Sequence, residues 1–152
     1  MARITSNPGD KSILPESVTQ FLKRRVCEII GFSLVLSGLL MIIALVSYAP
    51  GDPSLNSAAG TRPDNLLGLS GAYLADFLLQ SIGLVGAVPS LVLTIWGVQT
   101  IRKRPPTMVW ARTSLFLLTL MMASMSISAL PVPSDWPLVT SLGGVIGMVL
   151  LE

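Results

Sequence analysis

Apolar residues run almost without interruption from Ile29 to Tyr48, and the only polar groups among them are Ser33, Ser37, Ser47 and the Tyr48 hydroxyl. Twenty residues rising about 1.5 Å each cover about 30 Å, the hydrocarbon thickness of a bilayer, so 29–48 is predicted to span a membrane as a helix. A second apolar stretch, 72–101, exceeds one perpendicular span and is interrupted by Asp76, Gln80 and Pro89. Its embedded part is placed at 78–98, with Tyr73 and Asp76 among the headgroups. A kink is expected at Pro89, which lacks a backbone donor. The third span is 113–130. The last apolar segment, 138–151, reaches only about 21 Å as a helix, so the chain is expected to stop inside a fourth span.

Between these runs the chain is polar or turn-rich. Residues 1–20 lack apolar periodicity and hold Pro8, Gly9 and Pro15; they read as a loose leader, with a helical entry after Pro15 and Ser17 as its cap. The first connection, 49–71, holds the turn dipeptides Pro50-Gly51 and Asp52-Pro53. Pro131 to Pro137 forms a tight turn that sets Trp136 at an interface. The expected fold is all-α and integral to the membrane: a four-transmembrane-helix bundle with a truncated fourth helix. Residues 1–20 form its leader and 21–152 its membrane-anchor domain.

Composition agrees with this pattern. Charged residues make up 12% of the chain and hydrophobic ones 51%, with a mean hydropathy of +0.72. A soluble domain carries about 25% charged residues. The basic residues then orient the helices. Arg3, Lys11, Lys23, Arg24, Arg25, Arg102, Lys103, Arg104 and Arg112 fall on one side of three crossings, and Arg62 alone falls on the other. By the positive-inside rule the N-terminus and the 102–112 loop are cytoplasmic, and the 49–71 and 131–137 loops face out. Cleavage of the first helix as a signal peptide is disfavoured, because its apolar run exceeds the usual 7–15 residues and Pro50 would follow the cut.

Little chemistry is available. The chain has no His and one Cys, which removes intrachain disulfides and every His-dependent metal or acid–base site. Cys27 stands alone at a membrane boundary, and no Gly-Lys pair offers a phosphate loop. Asp52, Asp64 and Asp135 share the outer side without a pattern that would make their oxygens converge on a cation. No catalytic, cofactor-binding or metal residue is assigned. Asp76 and Gln80 support two readings: a structural pair near a helix N-terminus, where the macrodipole favours an anion, or a polar path in a small transporter or channel subunit. The basic clusters 23–25 and 102–104 are topogenic and lipid-facing rather than a nucleic-acid surface. Close helix packing is signalled by Gly143-x-x-x-Gly147 and Gly83-x-x-x-Ala87, and equally by Ser33-x-x-x-Ser37 and Ser124-x-x-x-Ser128. These serve packing within the chain or between copies.

One family is suggested by the residues themselves. Arg24-Arg25-x-x-Glu28-x-x-Gly31 and Ala44-Leu45-x-Ser47-Tyr48-x-Pro50-x-Asp52-Pro53-Ser54-x-Asn56 resemble the start of the membrane domain of FtsK/SpoIIIE DNA translocases, of the alphaproteobacterial type. The likeness continues through Asn65-x-x-Gly68-x-x-Gly71-Ala72-Tyr73-x-Ala75-Asp76-x-Leu78-Leu79-Gln80, Trp96-Gly97 and 137–144, and covers about 21–151. The resemblance implies a four-helix inner-membrane anchor, targeted to the division septum, for a cytoplasmic hexameric motor that pumps DNA. No motor sequence occurs here, so ATP and Mg are implied only for that missing part, and this segment is expected to contact no nucleic acid and to be no enzyme. The expected partners are the lipid bilayer, other division proteins and further copies of the chain. The turn formed by Tyr48, Pro50, Asp52 and Pro53 is the candidate surface for division partners.

Overall fold

The computed structural model describes residues 15–54, 62–102, 107–134, 136, 138 and 140–152. The expectations for 1–14, Asn56, Lys103, Arg104, Asp135 and Pro137 lie outside the described residues. Helix α1 (Glu16–Val46) starts directly behind Pro15. The Pro15 carbonyl accepts the N–H groups of Val18 and Thr19 at 3.0 and 3.1 Å. No side chain caps this end, so Ser17 lies inside the helix rather than at its cap. Residues 16–20, expected in the leader, belong to α1.

Beyond a connecting loop come α2 (Gly68–Ile82), a 3-10 turn (Gly83–Gly86) and α3 (Ala87–Ile101). Helix α4 (Val109–Ser128) and the short α5 (Gly144–Leu151) complete the described chain. Among the described residues three helical stretches are long and apolar enough to cross a membrane: Ser17–Val46, Gly68–Ile101 and Val109–Ser128. The fourth, α5, has eight residues and reaches about 12 Å.

The second of these stretches is sharply bent. Gly83 takes φ +62° and ψ −140°, outside the helical region and open only to glycine without strain. A Cβ built on Gly86 would lie 3.2 Å from the Cβ of Leu78, eight residues earlier. In a straight helix eight residues separate by about 12 Å. The bend therefore sits at Gly83 and not, as the sequence suggested, at Pro89. Pro89 is the third residue of α3, in the first turn, where a backbone N–H has no helical partner to lose. The expected span 78–98 is shared between the end of α2, the turn and α3.

Helix α1 lies along α3, and α4 lies along α5; the substantial packing between these two hairpins runs through α2 and the 83–86 turn. Small residues make both seams. Gly31 and Gly38 of α1, two turns apart, face Gly97 and Ser90 of α3, also two turns apart. A Cβ on Gly31 would meet the Gly97 carbonyl oxygen at 2.9 Å, and one on Gly38 would meet that of Ser90 at 2.7 Å. The backbones thus touch, as in close-packed membrane helices. Ser33 and Ser37 point outward instead. The buried apolar residues are few: Ala44, Ala72, Ala75, Leu78, Val85, Leu120 and Leu142. Large apolar side chains such as Phe32, Leu36, Leu91, Ile95, Leu117 and Leu118 are exposed along the long helices. That inverted distribution suits a hydrocarbon solvent.

Candidate functional site

The C-terminal end of α1 and the start of α2 are joined by a cluster of buried polar side chains. Asn65, only 4% exposed, sits between the two helices. Its side-chain amide donates to the carbonyl oxygens of Ala44 at 2.8 Å and Ser47 at 3.2 Å, satisfying groups that the end of a helix leaves unpaired. Its Oδ1 accepts the Leu67 N–H at 3.0 Å, just ahead of α2. One side chain thus closes one helix and opens the next. Gly71 is required beside it, because a Cβ there would run into the Asn65 amide.

Asp52 holds Asn65 in place. The carboxylate is buried and accepts the backbone N–H groups of Asp64 at 2.7 Å and Asn65 at 3.1 Å, thirteen residues along the chain at most. Ser47 adds a third tie: its hydroxyl donates to the Ile43 carbonyl at 2.7 Å and accepts the Leu66 N–H at 3.2 Å. Asp52 is turned inward by the turn at 49–52, closed by the Asp52 N–H on the Ala49 carbonyl at 3.1 Å.

A second carboxylate lies next to this clasp. Asp76, 4% exposed, accepts both of its oxygens' hydrogen bonds from the Gln80 amide, at 2.8 and 3.0 Å, one helical turn on. The Tyr48 hydroxyl, beyond the end of α1, donates to it as well. Burial first, and then the charges of Asp76 and Asp52, hold the Tyr48 phenol above its ordinary range. The phenol therefore stays protonated as a donor. Among the described residues the only ion pairs are Arg24–Glu28 and Arg25–Glu28, at the opposite end of the molecule. Both buried carboxylates are held by hydrogen bonds alone.

The candidate residues separate on this geometry. Of the turn Tyr48, Pro50, Asp52 and Pro53, only Pro50 is exposed; Tyr48 is half-buried, and Asp52 and Pro53 are buried. Of the packing candidates, Gly143 and Gly147 lie against Ser124 and Ser128 of α4, and Gly83 lies against the Leu142 backbone. The Ser124 hydroxyl donates to the Gly143 carbonyl, and the Ser128 and Ser141 hydroxyls pair at 2.8 Å. Ala87 is exposed. Sequence reasoning did not single out Asn65 as a site residue. Its signal was available: an Asn two residues ahead of a helix's N-cap position, preceded by turn residues, fits an Asx turn in which the side chain accepts the N–H two residues on. Among the described residues no group of three His, Cys, Asp or Glu side chains is placed to hold a metal ion.

The strings that build the clasp are those that carry the family likeness, and the whole chain bears it out. Residues 23–152 match the family described as the 4TM region of DNA translocase FtsK/SpoIIIE. The chain belongs to the FtsK/SpoIIIE family. It is 37% identical over 135 residues to the DNA translocase FtsK of Rhizobium meliloti and 35% identical over 135 residues to that of Agrobacterium fabrum, covering 89% of this chain and 15% of each relative. The FtsK of Azospirillum brasilense is 34% identical over 134 residues, 87% of this chain and 21% of that protein. The chain thus corresponds to between about a seventh and a fifth of the length of these relatives, in the membrane region rather than the catalytic motor. No solved structure matches it. Within the FtsK/SpoIIIE membrane region, then, the clasp is a helix-to-helix fastening made from Ser47, Tyr48, Asp52, Asn65 and Asp76, and the chain's placement is a multi-pass one in the membrane.

Proposed function

We propose that this chain anchors a DNA translocase in the bacterial inner membrane and carries it to the division septum. The observation behind this reading is the family match across 23–152, which takes in most of the first and all of the other two described stretches long enough to cross a bilayer. The mechanism is tethering: fixing a motor to the membrane raises its concentration near the closing septum. The basic residues favour a cytoplasmic N-terminus, with the clasp outside. ATP, Mg, the hexameric state and DNA contact go with the motor, not with this segment. Contact with other division proteins would use the exposed edge of the 48–53 turn, Pro50 and Gly51, because Asp52 and Pro53 are engaged internally. Ala87, which is exposed, remains a candidate for packing between copies, whereas Gly83 packs within the chain. The test is to express residues 1–152 fused to a fluorescent protein in dividing alphaproteobacterial cells. Septal enrichment is expected; an even membrane signal would sink the targeting reading.

A transporter or channel subunit with Asp76 and Gln80 in its path is the second reading. Asp76 is buried and its oxygens are occupied by Gln80 and Tyr48, which suits a structural carboxylate better than a conducting one. Asp76→Asn in proteoliposomes separates the two: flux that this change abolishes would support the path.

A further inference from the structure

At the end of the molecule opposite the clasp, α1 continues past the last turn of α3. A groove of about 410 Å³ opens there, lined by Lys23, Arg24 and Cys27 of α1 and by Thr100 and Ile101 of α3. A second groove of about 440 Å³ shares Glu28 and Ile101 with it and continues to Ile29 and Phe32. The second groove is amphiphilic along the helix axis, because Arg25 and Phe32 lie two turns apart on one face of α1. Cations stand at 23–25, and two turns further on the side chains of Ile29 and Phe32 are about two-thirds exposed. Six residues of helix rise about 9 Å, close to the about 5–8 Å of headgroup region on each side of a bilayer core.

The charge balance of this end is unequal. Glu28 is already engaged by Arg24 at 3.1 Å and Arg25 at 2.7 Å. Lys23 has no ion pair among the described residues. Arg102, exposed at the end of α3, adds a further cation. Lys23, Arg24, Arg25 and Arg102 against Glu28 alone leave three positive charges uncompensated. Among the described residues that line the two grooves, Glu28 is the one acid. A free phosphate would use only the cationic part, and a polynucleotide would have no use for the apolar part below.

We propose that the second of these grooves, at the end of the α1–α3 seam, binds an anionic phospholipid of the adjoining leaflet, its phosphodiester at Arg25 and the adjoining Arg24 and its acyl chain along Ile29 and Phe32. The proposal rests on the membrane-anchor reading and gives it a lipid preference. A single bound lipid would also fill the space that α3 leaves beside α1, at the end of the molecule where the buried core is thinnest.

The test uses the full chain, purified in detergent and titrated separately with dioleoyl phosphatidylglycerol, dioleoyl phosphatidylcholine and soluble glycerol phosphate, with bound species counted by native mass spectrometry. One phosphatidylglycerol is expected to be retained at least tenfold more tightly than phosphatidylcholine, and glycerol phosphate is expected not to compete. The variant Arg24→Gln/Arg25→Gln is expected to lose about fivefold in phosphatidylglycerol affinity per cation removed. Both positions are exposed, so helix content by circular dichroism is expected to stay unchanged. Arg112→Gln removes an exposed cation at the start of α4, outside the groove, and is expected to leave affinity as it is. Equal retention of the two lipids, or an equal loss from Arg112→Gln, would overturn the site. Competition by glycerol phosphate would reassign it to a soluble phosphate. Failure of the anchor reading is seen separately, as release of the chain from membranes by alkaline carbonate.

Discussion

The two ends of the α1–α3 hairpin are built on opposite principles. At the clasp end, Asp52, Asn65, Ser47 and Asp76 are drawn inward, and each polar atom finds a named partner. Most of the small apolar core lies there too, in Ala44, Ala72, Ala75, Leu78 and Val85. At the basic end, the polar groups are charged and point outward, and what lies between them is groove. The difference follows from what each end must specify. Helices in hydrocarbon gain little from burying more hydrocarbon, so directional hydrogen bonds and close backbone approach determine their arrangement. The side-chain hydrogen bonds that join elements are concentrated at the clasp, while close backbone approach runs along the seams. The basic end needs only to stay at the membrane surface, which charge alone achieves.

The largest effect that breaks this comparison should come from Gly83. Alanine there must adopt a positive φ and press its Cβ into the Leu142 backbone. A loss of about 4 kcal/mol or outright failure to fold is expected, read as thermal unfolding in detergent. The same substitution at Gly51, which has open space around it, should be tolerated. Equal losses at the two glycines would show that the bend is not what joins the hairpins.

Next in size is Asn65→Ala, which strands the Ala44 and Ser47 carbonyls and the Leu67 N–H in one step. About 2–3 kcal/mol should be lost in a denaturant titration, the usual penalty for buried groups left unpaired. Protease cleavage within 49–67 should rise in parallel. A variant as stable as the parent would mean that the clasp is ornamental.

Asp76→Asn keeps an acceptor for Gln80 and Tyr48 while removing the charge, so a change within about 1 kcal/mol is expected. Tyr48→Phe removes one donor to the same carboxylate and should cost a similar amount. If Asp76→Asn were much more damaging than Tyr48→Phe, the charge itself would matter, and the structural role given to Asp76 would fail.

The smallest effect belongs to the other end. Glu28→Gln dissolves both ion pairs of the chain's described part, yet these are exposed pairs one turn apart along α1. Solvent screening leaves such pairs little net worth, so no measurable shift in unfolding temperature is expected. A shift as large as that of Asn65→Ala would abolish the contrast between the two ends.

Much of this architecture was legible from the pattern of apolar residues. The lengths of the runs around 29–48 and 113–130 predict helices; the structure places α4 within a few residues of its run, while α1 ends near its run's end but begins thirteen residues earlier, at Glu16. The glycine and serine pairs at 143/147 and 124/128 were visible as close-packing signals, though their spacing alone left open whether they meet within the chain. Less legible was the second stretch. Proline is the strongest helix-breaking signal, and Pro89 drew the expected kink, yet its cost depends on its position within a turn. That position is decided by where the chain bends, and the bend at Gly83 is packed against Leu142 and Gly144 from a distant segment.

The clasp shows the same limit from the other side. The sequence by itself determined that Ser47, Tyr48, Asp52 and Asn65 would lie near the ends of helices, because apolar run lengths and turn dipeptides settle where helices stop. Asp76, expected near a helix start, sits instead in the middle of α2. Whether each polar side chain would face a partner or the outside was decided by tertiary structure alone. Hydrogen bonds between residues eighteen and twenty-one apart, such as Asn65 to Ser47 and Ala44, exist only after two helices have been set side by side. No local propensity encodes that meeting. The turn that reads in sequence as an exposed surface for partners is, once folded, largely the fastening that holds the first helix to the second.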